Sequence, residues 1–167
     1  MPDAPRPVLA RLTLPSPEET ARFAARLSAV VGPGDVLCLE GGLGAGKTHF
    51  ARALIQHRQR QAEGEAEDVP SPSFTLVQTY GAGGQEIWHA DLYRLSDPWE
   101  VDELGLAEAF DSALCLVEWP DRMAAEIPDR ALWITLDTLP DEDARRLTLS
   151  SDRPDLWADR LAGLVAA

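Results

Sequence analysis

One stretch constrains this chain more than any other: Gly41-Gly42-Leu43-Gly44-Ala45-Gly46-Lys47-Thr48, which reads G-x-x-x-x-G-K-T. That spacing is a phosphate-binding loop. Its glycines let the backbone turn successive N–H groups toward a polyphosphate, and the helix that follows presents its positive end to the same charge. Such a loop needs a strand before it and a helix after it. Val36-Leu37-Cys38-Leu39 is an apolar run of the length a buried strand has, and Phe50, Leu54 and Ile55 recur beyond the loop at helical spacing. Residues Gly41 to Gly46 would cradle the phosphates, Lys47 would reach the β- and γ-phosphates, and the Thr48 hydroxyl would hold Mg²⁺.

Lys47 is the only lysine; the other fourteen of the 15 basic residues are arginine. A compact ammonium fits among phosphate oxygens where a guanidinium fork is not equivalent. A single lysine also leaves none for a guanine-reading N-K-x-D sequence, which argues against a conventional GTPase.

The rest of the chain supplies strands and helices in alternation. Residues 1–7 are proline-rich and expected to be loose, and Val8 to Leu14 alternates like a strand. Ser16-Pro17-Glu18-Glu19 reads as a helix start, with Ser16 as N-cap, Pro17 at the first position and Glu19 closing a capping box. Phe23, Leu27, Val30 and Val31 form its apolar stripe, and Gly32 to Asp35 turns the chain into the strand before the loop. The loop's own helix is expected from Lys47 to about Arg60, followed by an exposed acidic loop over Ala62 to Asp68. Ser71 to Val77 begins as a loop and becomes a strand ending at Tyr80. A turn over Gly81 to Gly84 leads into a return strand, Glu86 to Tyr93, which makes a hairpin. Asp97-Pro98-Trp99-Glu100 opens a helix to about Phe110, bent at Gly105. Ala113 to Val117 is a second buried run, ending in Glu118-Trp119-Pro120. A short helix over Asp121 to Ile127 follows. Strands Ala131 to Asp137 and Arg146 to Ser150 then flank an acidic turn, and a helix from Pro154 to Ala167 closes the chain. The expected fold is α/β, a three-layer sandwich of the P-loop nucleotidase kind with a mixed, mostly parallel central sheet, in a single domain over residues 1–167.

Charge limits what this fold can bind. The net charge is −13, which argues against a large basic surface for nucleic acid. Any service to RNA chemistry would run through a partner. No apolar run approaches a membrane span, and the N-terminal residues lack the layout of a signal peptide. Cys38 and Cys115 lie inside apolar runs, as reduced core cysteines do, and the expected compartment is the cytoplasm.

A P-loop ATPase also needs an acid beside its Mg²⁺, at the end of a buried strand. Glu118 and Asp91 both qualify. Glu118 is preferred for the metal, and Asp91 for support of the metal site or for the attacking water; the residues alone do not order them. Ser73 and Thr75 lie where switch loops meet a γ-phosphate. His89 reads as a packed or surface histidine and His49 as incidental. Trp119 reads as core or partner surface, with nucleobase stacking the sharper alternative, and Arg94 as one half of a salt bridge, with phosphate neutralisation the alternative. Two readings compete: a small-molecule kinase, which would need an acceptor pocket and an arginine-bearing lid, for which Arg58, Arg60 and Arg122 are available, and a nucleotide-binding regulatory module with negligible hydrolysis.

Four stretches together resemble one family. Gly44-Ala45-Gly46-Lys47-Thr48, Ser71-Pro72-Ser73-Phe74-Thr75-Leu76-Val77, His89-Ala90-Asp91-Leu92-Tyr93-Arg94-Leu95 and Val117-Glu118-Trp119-Pro120 look, in that order and spacing, like TsaE. The resemblance spans about Ser16 to Pro128. It implies a cytoplasmic ATPase required for making threonylcarbamoyladenosine in tRNA. Such a protein binds ATP and Mg²⁺, joins the TsaB–TsaD pair, and resets that complex between rounds without transferring the threonylcarbamoyl group itself. It implies phosphate binding by Gly41 to Thr48, Mg²⁺ on Thr48 and Glu118, the acid of the second family motif at Asp91, and a place near the nucleotide for Ser16. The family usually has aspartate where Gly42 stands, and threonine where Ser73 and His49 stand.

Overall fold

The computed structural model describes residues 5–97 and 99–165. Residues 1–4 of the segment expected to be loose, Pro98 of the third helix start, and Ala166 and Ala167 of the last helix lie outside the described residues. Seven strands, β1 (Val8–Leu14), β2 (Val36–Glu40), β3 (Val77–Ala82), β4 (Gln85–Asp91), β5 (Leu114–Glu118), β6 (Leu132–Thr138) and β7 (Arg145–Ser150), form one sheet in the order β1-β7-β6-β2-β5-β4-β3. The strands β6, β2, β5 and β4 run parallel at its centre, and antiparallel partners complete both margins. Five of the seven strands point the same way, so the sheet is mixed and mostly parallel.

The central strands are apolar on both faces, and their period of two divides the core into two halves. Leu37 and Leu39 of β2 and Leu114 and Leu116 of β5 pack under α1 (Pro17–Ser28), α2 (Lys47–Glu63) and α5 (Pro154–Val165). Val36, Cys38, Cys115 and Val117 face the other way, against α3 (Glu100–Leu104), α4 (Leu106–Ala109) and a 3-10 segment, Pro120–Glu126. Helices therefore cover both faces, as the alternation of elements predicts. Both cysteines are free and buried. Burial pushes both thiols up, Cys115 to about 12. Among the described residues, no helix is long and apolar enough to cross a membrane.

The differences from expectation are local. Ser16 caps α1 and accepts the Glu19 N–H at 3.2 Å, but Glu19 pairs with Arg22 rather than completing the box. The hairpin turn is tighter than four residues. Gly83 and Gly84 carry φ of 60° and 83°, the two-residue turn whose twist suits paired strands, while Gly81 and Ala82 stay in β3 opposite Glu86 and Gln85. β4 ends at Asp91 rather than Tyr93. The helix expected from 98 to 110 is two short helices, because Gly105 at φ 74° terminates α3 instead of bending it, and Trp99 rather than Asp97 stands at its N-cap. The short helix after Glu118 is present over Pro120–Glu126, wound as 3-10 turns with a kink at Met123.

Candidate functional site

Parallel strands place their carboxyl ends on one edge of the sheet, where ligands of open α/β folds sit. Here β2, β4 and β5 end side by side: Leu39 is level with Glu118, and Glu118 with Asp91. The loop from Gly41 to Gly46 crosses that edge into α2. Gly41 is required at its root, since a Cβ there would lie 2.6 Å from the Leu136 carbonyl oxygen, a backbone atom that cannot give way. Gly46, at φ 105°, is the N-cap of α2, and it offers no side chain to the first N–H groups of the helix. Arg145 braces the loop from outside, donating to Ala45 O at 2.8 Å and Gly44 O at 3.3 Å.

Lys47 is buried and folds over this loop, with Nζ 2.5 Å from Gly41 O, 2.9 Å from Gly42 O and 4.0 Å from the Trp119 ring centre. Burial lowers the pKa of its ammonium; Glu118, Asp91 and Asp121 act in the opposite direction. Thr48 Oγ1 donates to the Glu118 carboxylate, 2.9 and 3.0 Å from its two oxygens. His89 Nε2 lies 2.7 Å from Glu118 Oε2, with both groups buried, and His89 Nδ1 has no partner among the described residues. Asp91 accepts the Tyr93 N–H at 3.1 Å on Oδ1 and the Ser71 hydroxyl at 3.4 Å on Oδ2.

Lys47, Thr48, Ser71, Asp91 and Glu118 line one cleft of about 390 Å³ with Leu43, Ser73, Tyr93, Arg94 and Trp119, while His89 lies buried behind Glu118. The cleft gathers Leu43, Gly44, Ala45, Gly46, Lys47, Thr48, Ser73, Asp91 and Glu118 from the sequence-predicted set. Gly41 and Gly42 lie beneath it as carbonyl acceptors for Lys47. Ser16 does not line it; its oxygen is committed to α1, whose Pro17 and Thr20 border a separate recess beside Ala45 and Gly46. Thr75 also lies outside, accepting from Gln78. The arginines available for a kinase lid are elsewhere. Arg58 is tied to the Ser28 and Val31 carbonyls, Arg60 borders a groove between α1 and α2, and Arg122 does not reach the cleft wall.

Four residues gained weight from the structure. His49 lines the cleft and holds the two helix starts together through the Pro17 carbonyl, 2.9 Å away. Arg94 forms no salt bridge among the described residues, contrary to expectation, and stacks on Phe74 instead. Trp119, half-buried, packs 4.9 Å from Tyr93. Leu76 and Trp119, at φ 67° and 57°, are the two non-glycine residues of left-handed backbone among those described, and each adjoins a cleft-lining stretch. Strain of this kind concentrates where surrounding structure holds a working geometry.

The donor set fits Mg²⁺. That ion takes one or two protein oxygens and completes its shell with water and phosphate, and Thr48 with Glu118 offers one hydroxyl and one carboxylate beside the phosphate loop. No group of three or more His, Cys, Asp or Glu side chains able to hold a metal by itself occurs among the described residues.

A family model described as Threonylcarbamoyl adenosine biosynthesis protein TsaE matches residues 14–147. A tRNA threonylcarbamoyladenosine biosynthesis protein TsaE from Rickettsia bellii is 38% identical over 139 residues, spanning 83% of this chain and 93% of its own. The protein of the same name from Bacillus subtilis is 38% identical over 137 residues, spanning 81% and 82%. The crystal structure of Bacillus subtilis YdiB superposes with a TM-score of 0.76 at 30% identity, covering 96% of this chain and 98% of its own.

Proposed function

The chain belongs to the TsaE family of threonylcarbamoyl adenosine biosynthesis proteins, and from that premise we propose that it is a Mg²⁺-dependent ATPase of the tRNA threonylcarbamoyladenosine machinery. It works in the cytoplasm on the TsaB–TsaD pair, resetting that complex between rounds, and meets tRNA only through those partners. The observation that carries this reading is the convergence of Lys47, Thr48, Glu118 and Asp91 on one cleft at the ends of β2, β4 and β5.

The backbone N–H groups of Gly44 to Lys47 and the open start of α2 bind the polyphosphate. Lys47 exchanges its two loop carbonyls for phosphate oxygens, which need its charge more. Thr48 and Glu118 would hold Mg²⁺, which would supply positive charge against the phosphates. His89 fixes the rotamer of Glu118 from behind. Asp91 lies level with Glu118 and orients the water whose oxygen bonds to the γ-phosphorus as the bond to the bridging oxygen breaks. ADP leaves with that electron pair, and the water's proton passes to phosphate or to Asp91.

Phosphate release from ATP, with and without purified TsaB–TsaD from the same source, tests this. Stimulation by the pair that disappears in Lys47→Ala is the expected result. Tight ATP binding with no stimulation would reject the resetting role.

A further inference from the structure

Arg94 is the one arginine in the lining of the cleft, beside Lys47, Thr48, Asp91 and Glu118. Its side chain is exposed, and its guanidinium enters no ion pair among the described residues. Other arginines near the loop and helices are committed: Arg145 to Ala45 and Gly44, Arg52 to Val69, Arg58 to Ser28 and Val31. Arg94 rests instead on a ring, with its guanidinium carbon 4.5 Å from the centre of Phe74. Phe74 is 82% exposed, more than any other large apolar residue described. Core packing does not account for a phenyl group left in water, whereas a flat perch for a guanidinium does.

The backbone fixes this perch relative to the cleft. Leu76 donates to Pro72 O at 2.7 Å, closing the turn that carries Phe74, and Asp91 donates to Leu76 O at 2.8 Å. The turn that carries Phe74 and the stretch that carries Arg94 are thus joined at Asp91, the residue to which the ATPase reading gives the attacking water. A further cation has a use there. The charge of the transition state is spread over three γ-phosphate oxygens, more than Lys47 and a bound Mg²⁺ would contact between them.

Resting on the ATPase reading above, we propose that Arg94 is a catalytic residue that contacts the terminal phosphate of bound ATP, and that Phe74 is a positioning residue holding it at the cleft mouth. The guanidinium leaves or tilts on the ring to donate to γ-phosphate oxygens, so the chain carries its own arginine finger. The interaction exists only with a third phosphate present. ADP does not feel it.

That asymmetry is the test. β,γ-Imido ATP and ADP are titrated by calorimetry, in Mg²⁺, into the full chain and into Arg94→Ala, Arg94→Lys, Phe74→Leu and the Arg94→Ala/Phe74→Leu double variant. Both side chains are exposed, so the variants should fold; thermal melts check this. Arg94→Ala should weaken the triphosphate about tenfold, the size of one charge-assisted contact, and leave ADP within about twofold. Arg94→Lys should recover part of the loss. Phe74→Leu should lose less than Arg94→Ala, and the double variant should bind no more weakly than Arg94→Ala. Equal losses for both nucleotides, or none, would overturn the role of Arg94, and additive losses would overturn that of Phe74. Failure of the unaltered chain to bind either nucleotide would instead remove the ATPase reading and this inference with it.

Discussion

Two helices begin next to each other and begin differently. α1 starts as an isolated helix prefers to: Ser16 takes up the Glu19 N–H, Pro17 sits in the first turn, and Glu18 and Glu19 put negative charge at the positive end of the dipole. α2 has none of this. Its N-cap is Gly46, no side chain caps it, and its first turn holds Lys47, Thr48 and His49 with no acid. The two starts touch through His49 and the Pro17 carbonyl, so they share surroundings and differ in chemistry. One helix has a side chain for its first donors, and the other leaves them without one, as a helix that receives an anion does. Propensity does not explain the contrast. The residues at the cap and in the first turn do.

The comparison breaks most severely at the root of the open start. Gly41→Val places a branched side chain where even a Cβ meets Leu136 O at 2.6 Å. The loop must leave that strand end, at a cost of about 3 kcal/mol. A thermal melt should fall by roughly 6–12 °C, and ATP binding should vanish. An unchanged melt would show that this contact does not set the loop. The corresponding glycine-free approach to α1, from Leu14 to Ser16, has no such demand, which is why its chemistry resides in a side chain.

A subtler change makes the two starts alike. His49→Glu gives α2 the acidic first turn that α1 already has. The helix gains about 0.3–1 kcal/mol from its dipole, offset by loss of the bond to Pro17, so stability should move little. ATP affinity should fall about tenfold, because a carboxylate now competes for the same end of the helix. Unaltered affinity would mean that the phosphates do not rely on that terminus.

The converse change at α1 should do the reverse. Ser16→Ala removes a cap whose oxygen serves Glu19, costing about 1 kcal/mol, or roughly 2–4 °C in the melt. ATP affinity should stay within about twofold. A drop like that of His49→Glu would return Ser16 to the nucleotide site that resemblance had assigned it and the cleft lining does not.

How much of this was legible depended on sequence distance. The strand, loop and helix around Lys47 are contiguous, so spacing alone located them. Glu118 and Asp91 each end an apolar run, and a buried strand that finishes in an acid announces itself. What lay hidden was pairing across the chain. Nothing in His89 indicates that its ring will meet Glu118, and nothing near Arg145 points to Gly44 and Ala45, which lie about a hundred residues earlier. The salt bridge expected of Arg94 is absent among the described residues, since its guanidinium meets a phenyl ring where a carboxylate is the commoner partner. The left-handed backbone of Leu76 and Trp119 was unreadable for another reason: neither residue type favours it, and only the folded surroundings impose it. Gly105 was read at the right place but too mildly, since a residue in that conformation ends a helix more readily than it bends one.

The smallest effect belongs to Gly42, where relatives usually carry aspartate. A Cβ there meets nothing within 4 Å, and its φ is not among the positive ones, so the backbone does not require glycine as it does at Gly41. Gly42→Asp should therefore shift the melt by no more than about 1 °C, in keeping with exposed substitutions that break no contact. Its carbonyl would still receive Lys47, and the new carboxylate would stand one residue from the root of the phosphate loop. If that group helps orient water, turnover should rise while nucleotide affinity falls slightly through added negative charge. Single-turnover phosphate release beside an ATP titration separates the two. A large loss of stability would mean that the open start of α2 is set by more of its glycines than Gly41 and Gly46, and the contrast with α1 would then lie in backbone conformation rather than in the chemistry of cap and first turn.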